Sequence, residues 1–214
     1  MNNLFIFKFF KDGGILMIPL ALCSIYALAI VIERLRFYKF YKSDSEEFMN
    51  KVKKAIKCLR FSDALLICRQ ENTPLANVIA AGIDNFNLKK EDLMDVMRRE
   101  GLVQLKKYEK NLNALSTIAT IAPQLGLAGT ITGMIAAFAS IQAVGAPEAS
   151  ALAGGISEAL YTTAAGLLIG IPALVFYNWA SAKADAFAEQ VEFYASELAS
   201  LSVAMEVEVE KLVA

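Results

Sequence analysis

Hydrophobic and polar positions along the chain fall into blocks. Gly13 to Ile32 holds no charged residue and then meets Glu33-Arg34-Leu35-Arg36. A second uncharged run goes from Asn111 to Pro147, and a third from about Ser150 to Ala182 has Glu158 as its only charge. A membrane-spanning helix needs roughly 20 apolar residues, at about 1.5 Å of rise each, to cross a hydrocarbon layer of roughly 30 Å. A soluble helix would instead mix apolar and charged positions at spacings of three and four. The pattern predicts an all-α membrane protein with transmembrane helices at 13–32, at 111–146 and within 147–182, the last of these ranges including a short loop. Gly145 and Pro147 mark the end of the second span.

The segments between the runs are densely charged and read as helical. Ser43-Asp44-Ser45 can cap a helix running through Phe48, Val52, Ala55, Ile56 and Leu59. Ser62-Asp63 marks a second start before Ala64-Leu65-Leu66. Thr73-Pro74 combines a capping residue with proline at the first helical position. From Leu88 to Pro123 only Gly101 interrupts, so one long helix is expected from about Lys89, entering the membrane near Leu112. After the third span Phe187, Val191, Tyr194, Leu198, Leu201 and Met205 recur at steps of three and four, a stripe suited to a partner helix.

Charge adds an orientation. Of the 21 Lys and Arg residues, 17 lie between Glu33 and Lys110, and the connection 143–150 has none. The positive-inside rule places residues 33–110 and the tail 183–214 in the cytoplasm, with the N-terminus 1–12 and the connection outside. Lys8 and Lys11 oppose this weakly. The segment around Arg98–Lys110 is basic, whereas the tail carries seven acids against two lysines. That contrast suits packing of the tail on the extension, within one chain or between copies. A net charge of -1 gives no general basic character for nucleic acid.

Composition removes several chemistries. There is no histidine, hence no histidine metal site and no Ser-His or Cys-His nucleophile. Cys23, Cys58 and Cys68 lack the spacing of a metal or redox motif and read as free thiols. No enzyme constellation, metal site or cofactor site is expected. What stands out is Glu158, because an acid in mid-membrane costs a few kcal/mol and commonly faces a bundle interior or a water-filled cavity. On an ideal helix Thr162 and Ala165 lie near the Glu158 face and Thr163 away from it. Glu158, Thr162 and Ala165 would form a narrow, slightly polar strip suited to a proton path. Gly126, Gly129 and Gly133, the last two forming GxxxG, together with Gly166, read as close-packing positions between helices. Pro123 and Pro172 read as local kinks. A carboxyl serving only as a packing device is the competing reading of Glu158.

Two strings carry a resemblance. Ile121-Ala-Pro-Gln-Leu-Gly-Leu-Ala-Gly-Thr130-Ile-Thr-Gly-Met134 is the first. The second is Gly155-Ile-Ser-Glu158-Ala-Leu-Tyr-Thr-Thr163-Ala-Ala-Gly166-Leu, continued by Ile171-Pro172-Ala and Tyr177-Asn178. They resemble the ExbB/TolQ/MotA proton-channel family, and within it ExbB most. The resemblance implies a ring, a homopentamer, around the single-span helices of an ExbD-like partner whose membrane aspartate supplies the other half of a proton relay. It also implies an inner-membrane location and a TonB-like protein that is energised by the motion. It carries the family's glutamate onto Glu158 and its membrane threonines onto Thr130 and Thr163. A TolQ-like role in envelope maintenance and a non-conducting scaffold are the alternatives. At 214 residues and three spans, the chain is short for the flagellar-stator branch.

Overall fold

The computed structural model describes residues 14–41, 44–144 and 149–213, and side chains are described except at 140–152 and 207–213. The N-terminal residues 1–13, the Gly145–Pro147 helix stop and Ser43 of the first cap therefore lie outside the described residues. The described elements are all helices: α1 Met17–Phe40, α2 Ser45–Lys57, α3 Phe61–Glu71, α4 Pro74–Asp84, α5 Lys90–Glu109, α6 Leu112–Val144 and α7 Ala149–Val213. Three stretches are long and apolar enough to cross a membrane, within Met17–Phe40, Lys90–Ala139 and Ala153–Glu206. The chain forms two compact units, Met1–Arg34 with Asn111–Trp179, and Leu35–Lys110 with Ala180–Ala214.

The charged unit is built as its capping signals predict, with two differences. Asp44 accepts from the N–H groups of Glu46 and Glu47, both at 3.2 Å. Thr73 accepts from the Ala76 N–H at 3.2 Å, with Pro74 starting the helix. These contacts satisfy amide donors that a helix start leaves without partners. The first difference is at α3, which begins at Phe61 with no side-chain cap, so Ser62 and Asp63 lie inside its first turn. Leu59, expected on the α2 stripe, is instead an exposed residue with φ of 58° that ends the helix. Phe61 then turns inward against Phe86, ring centroids 5.1 Å apart, and that burial sets the start of α3.

The core of this unit is made of large side chains. Phe48, Met49, Val52 and Ile56 of α2, Val78 and Ile79 of α4, and Leu93 and Met97 of α5 enclose Phe187, Val191 and Leu198 of α7. The tail stripe thus finds its partner within the chain. Gly101 of α5 lies close against the tail, since a Cβ there would come within 2.7 Å of Val191 Cγ1. Tyr108 stacks on Phe187, centroids 4.3 Å apart, and burial pushes its hydroxyl up to about 12. Tyr38 donates to the Tyr108 carbonyl at 3.0 Å. Arg98 donates to Glu192 from Nε at 3.1 Å and from Nη2 at 2.5 Å, and Lys53 pairs with Glu197. The basic extension and acidic tail therefore pair within one chain. All three cysteines are free thiols; Cys58 is exposed, whereas Cys68 is buried and its thiol is pushed up to about 12 by desolvation.

The expected single helix from Lys89 through the second span is not continuous. It breaks between α5 and α6 at Lys110 and Asn111, where Asn111 adopts φ of 63°. Asparagine tolerates the left-handed region better than most residues. Its side-chain amide donates to Glu33 Oε2 at 2.8 Å, and its carbonyl accepts from the Leu115 N–H at 3.1 Å to open α6. The same Glu33 accepts from Arg34 at 2.9 Å, a side chain that is only 3% exposed. A partner 78 residues away in the sequence thus holds a break that neither Gly nor Pro announces. Helix α7, by contrast, runs unbroken for 65 residues, with Pro172 inside it.

Candidate functional site

The apolar unit packs three helices through small residues. Ala27 and Ile30 of α1 meet Leu115, Ile118 and Ala119 of α6 and Ala173 of α7. Met17 and Leu20 meet Ala122 and Ala165. Between α6 and α7 the seam is tighter. A Cβ on Gly129 would come within 2.5 Å of Thr162 Cβ, and one on Gly166 within 2.5 Å of the Ala122 carbonyl oxygen. Gly126 faces the backbone of Thr162 and Thr163, Gly133 that of Gly155, and Gly170 the Pro123 ring. Such approach is the usual means of joining helices where lipid supplies no hydrophobic drive. Large apolar side chains point the other way: Leu127, Phe138, Leu160 and Leu168 are all more than half exposed.

Within this unit Glu158 is half-buried, about 14 Å of helix rise from the start of α7. Its carboxyl lies against Gly14, in the turn that leads into α1; a Cβ on Gly14 would overlap Oε1 and stand 2.8 Å from Cδ. Thr162 is 1% exposed. Its hydroxyl donates to the Glu158 carbonyl oxygen at 2.7 Å, and its side chain fills the space over Gly129. Ala165 is buried against α1 and α6. The strip Glu158, Thr162 and Ala165 therefore faces the other helices of its own chain. Thr163, half-buried, donates across the seam to the Gly126 carbonyl at 3.0 Å. Thr130, also half-buried, donates to the Leu127 carbonyl one turn back at 2.6 Å.

The hydroxyls are thus engaged by backbone carbonyls. Glu158 is the only acidic or basic side chain among the described residues of α7 before Lys183. Pro123 sits inside α6 against Gly170, while Pro172 is exposed on α7. Sequence reasoning missed Gly14 as a neighbour of Glu158 and the Glu33–Arg34–Asn111 group at the other end of α1. A glycine at the start of the first apolar run was the only signal for the former. For the latter it was the placement of Glu33 and Asn111 at the charged edges of two runs.

Comparison with known proteins agrees with this architecture. The model of the MotA/TolQ/ExbB proton channel family matches residues 70–193, which include α6 and the Glu158 part of α7. An ExbB-like biopolymer transport protein of Synechocystis, ExbB-like 1, is 32% identical over 180 residues, covering 79% of this chain and 68% of its own. The biopolymer transport protein ExbB of Neisseria gonorrhoeae is 25% identical over 181 residues, covering 78% of this chain and 80% of its own. An ExbB homolog of Methanothermobacter thermautotrophicus is 24% identical over 188 residues, covering 87% of this chain and 67% of its own. The family is one of transport proteins, and its character accords with three apolar helices in a multi-pass membrane protein. This chain belongs to the MotA/TolQ/ExbB proton channel family and is most like ExbB within it.

Proposed function

We propose that this chain is the ring-forming subunit of a proton-driven motor in the inner membrane. Protons descending their gradient pass Glu158 and an aspartate on a single-span, ExbD-like partner. The resulting motion of that partner energises a TonB-like protein for uptake across the outer membrane. A homopentamer is the expected ring, with the N-terminus outside and the charged unit and tail in the cytoplasm, as the distribution of Lys and Arg favours.

The observation that carries this reading is Glu158 itself, a half-buried carboxyl in a helix stretch whose other described side chains from 153 to 182 carry no charge. Isolated intramembrane acids are costly and mark ion or proton routes. Thr162 and Thr163 are engaged by carbonyl oxygens, so the second half of a relay is best supplied by another chain. Thr130 and Thr163 then act at the edge of the seam that holds Glu158 in place. Each charge crossing 100 mV releases about 2.3 kcal/mol, so mechanical work requires repeated proton steps.

The test is energised uptake in cells that depend on this chain, with Glu158→Ala replacing the native protein. Uptake is expected to fall to the level of cells lacking the protein, while the assembled oligomer is recovered in normal amount. Full uptake by the variant would remove Glu158 from the relay.

A further inference from the structure

We propose that Gly14, at the turn into α1, is the positioning residue for the Glu158 carboxyl. Two separate features of Gly14 support this. Its backbone has φ of 71°, in the left-handed region that glycine enters at little cost. Its Cα is also covered by the Glu158 side chain: an added Cβ would overlap Oε1, stand 2.8 Å from Cδ and 3.3 Å from Cγ. The carboxyl oxygen and carbon both stand closer than a Cβ can approach, so a methyl at position 14 would force the carboxyl, the far end of a flexible side chain, off this position.

The turn itself is held in place. The Gly14 carbonyl accepts from the Met17 N–H at 3.2 Å, and Met17 is buried against Ala122 and Ala165. The shelf under the carboxyl is therefore tied to the same packing that fixes α7. Proton transfer depends on donor and acceptor meeting within hydrogen-bond distance, and a site held by rigid neighbours meets that requirement best. Gly14 would set how far the carboxyl reaches from α7. This inference rests on the proton-relay reading for its consequence, while its structural content is independent of it. Gly14 lies outside the family-matched segment 70–193.

The experiment measures labelling of Glu158 by dicyclohexylcarbodiimide in the purified full-length protein, read by mass spectrometry of the labelled peptide. It compares Gly14→Ala, Glu158→Asp and the double variant with the parent. A methyl at position 14 should displace the carboxyl from its shelf and raise its labelling rate several-fold. The aspartate side chain is one methylene shorter, so its carboxyl carbon takes the place of Glu158 Cγ, 3.3 Å from that methyl and outside the overlap, with its oxygens free to rotate away. In the Glu158→Asp background, adding Gly14→Ala should therefore leave the rate unchanged. A change by the same factor in both backgrounds would mean a general loosening of the turn and would overturn the proposal, as would an unchanged rate in Gly14→Ala. If Gly14→Ala fails to fold because of its backbone hand, Gly14→Asn carries the same Cβ and tolerates the left-handed region. The labelling needs no partner and no gradient, so its failure is distinct from failure of the relay reading.

Discussion

The two units of this chain invert each other's packing. In the charged unit the interior holds Phe48, Met49, Ile56, Leu93, Met97 and Leu198, and charged side chains cover the outside. In the apolar unit the interior holds Gly126, Gly129, Ala122, Ala165 and Thr162, and Leu127, Phe138 and Leu168 face outward. Water explains the first arrangement, since burying large apolar side chains is the dominant gain available there. Lipid explains the second, because tails solvate leucine as well as another helix does and leave close backbone approach as the source of contact. One helix, α7, takes part in both. Its glycine and threonine positions serve the first half and its Phe187-to-Leu198 stripe the second.

The contrast can be broken by exchanging residue sizes. The largest effect is expected for Leu198→Ala in the charged unit, where a fully buried leucine leaves a cavity costing about 2–5 kcal/mol. The same truncation at Leu168, 69% exposed in the apolar unit, should cost under about 0.5 kcal/mol. Denaturant or thermal unfolding in detergent compares the two, and equal losses would contradict the inverted packing. Next is Gly129→Ala, which adds one methyl about 2.5 Å from Thr162 Cβ. Overpacking of this kind costs about 1–3 kcal/mol, whereas an alanine at Gly154, with nothing within 4 Å, should be tolerated. Retained stability in Gly129→Ala would show that the seam is looser than described.

The smallest effect concerns the tail's ion pair. The hydrogen bond from Arg98 holds the Glu192 carboxyl below the usual glutamate range and holds the Arg98 guanidinium charged. A carboxyl with a lowered folded-state pKa stabilises the fold above its unfolded pKa and loses that contribution as pH falls through the folded one. The stability difference between parent and Glu192→Gln should therefore be present at neutral pH and vanish in acid below the glutamate range. Both groups are exposed, so the effect is small and weakens with salt. A difference that persists in acid would point to packing of the Glu192 stem instead.

How much of this was legible in the sequence varies with the range of the contact. The three apolar runs, the Thr73-Pro74 start and the tail stripe are local patterns, and each appears as an element. The break at Asn111 was not legible, because its reason is Glu33, 78 residues away. Thr162 shows the limit at the site. A helical wheel places it beside Glu158, but it cannot say that Gly129 of α6 closes over that face. The wheel also separated Thr163 from Thr162, yet both hydroxyls reach carbonyls, one in its own helix and one across the seam. Glu158 itself was visible at once, as a charge without apolar justification. Its neighbour Gly14 was not, since the chain between them gives no hint that the first and third runs meet there.

The most direct test of the account is proton flux through the complex formed with a single-span partner in liposomes. An inward gradient of pH and potential is imposed, and an entrapped pH dye reports entry. Glu158→Gln keeps the shape of the side chain and removes its capacity to ionise. The account predicts partner-dependent acidification with the parent protein and only the leak of empty liposomes with Glu158→Gln. Equal acidification with both proteins would contradict it.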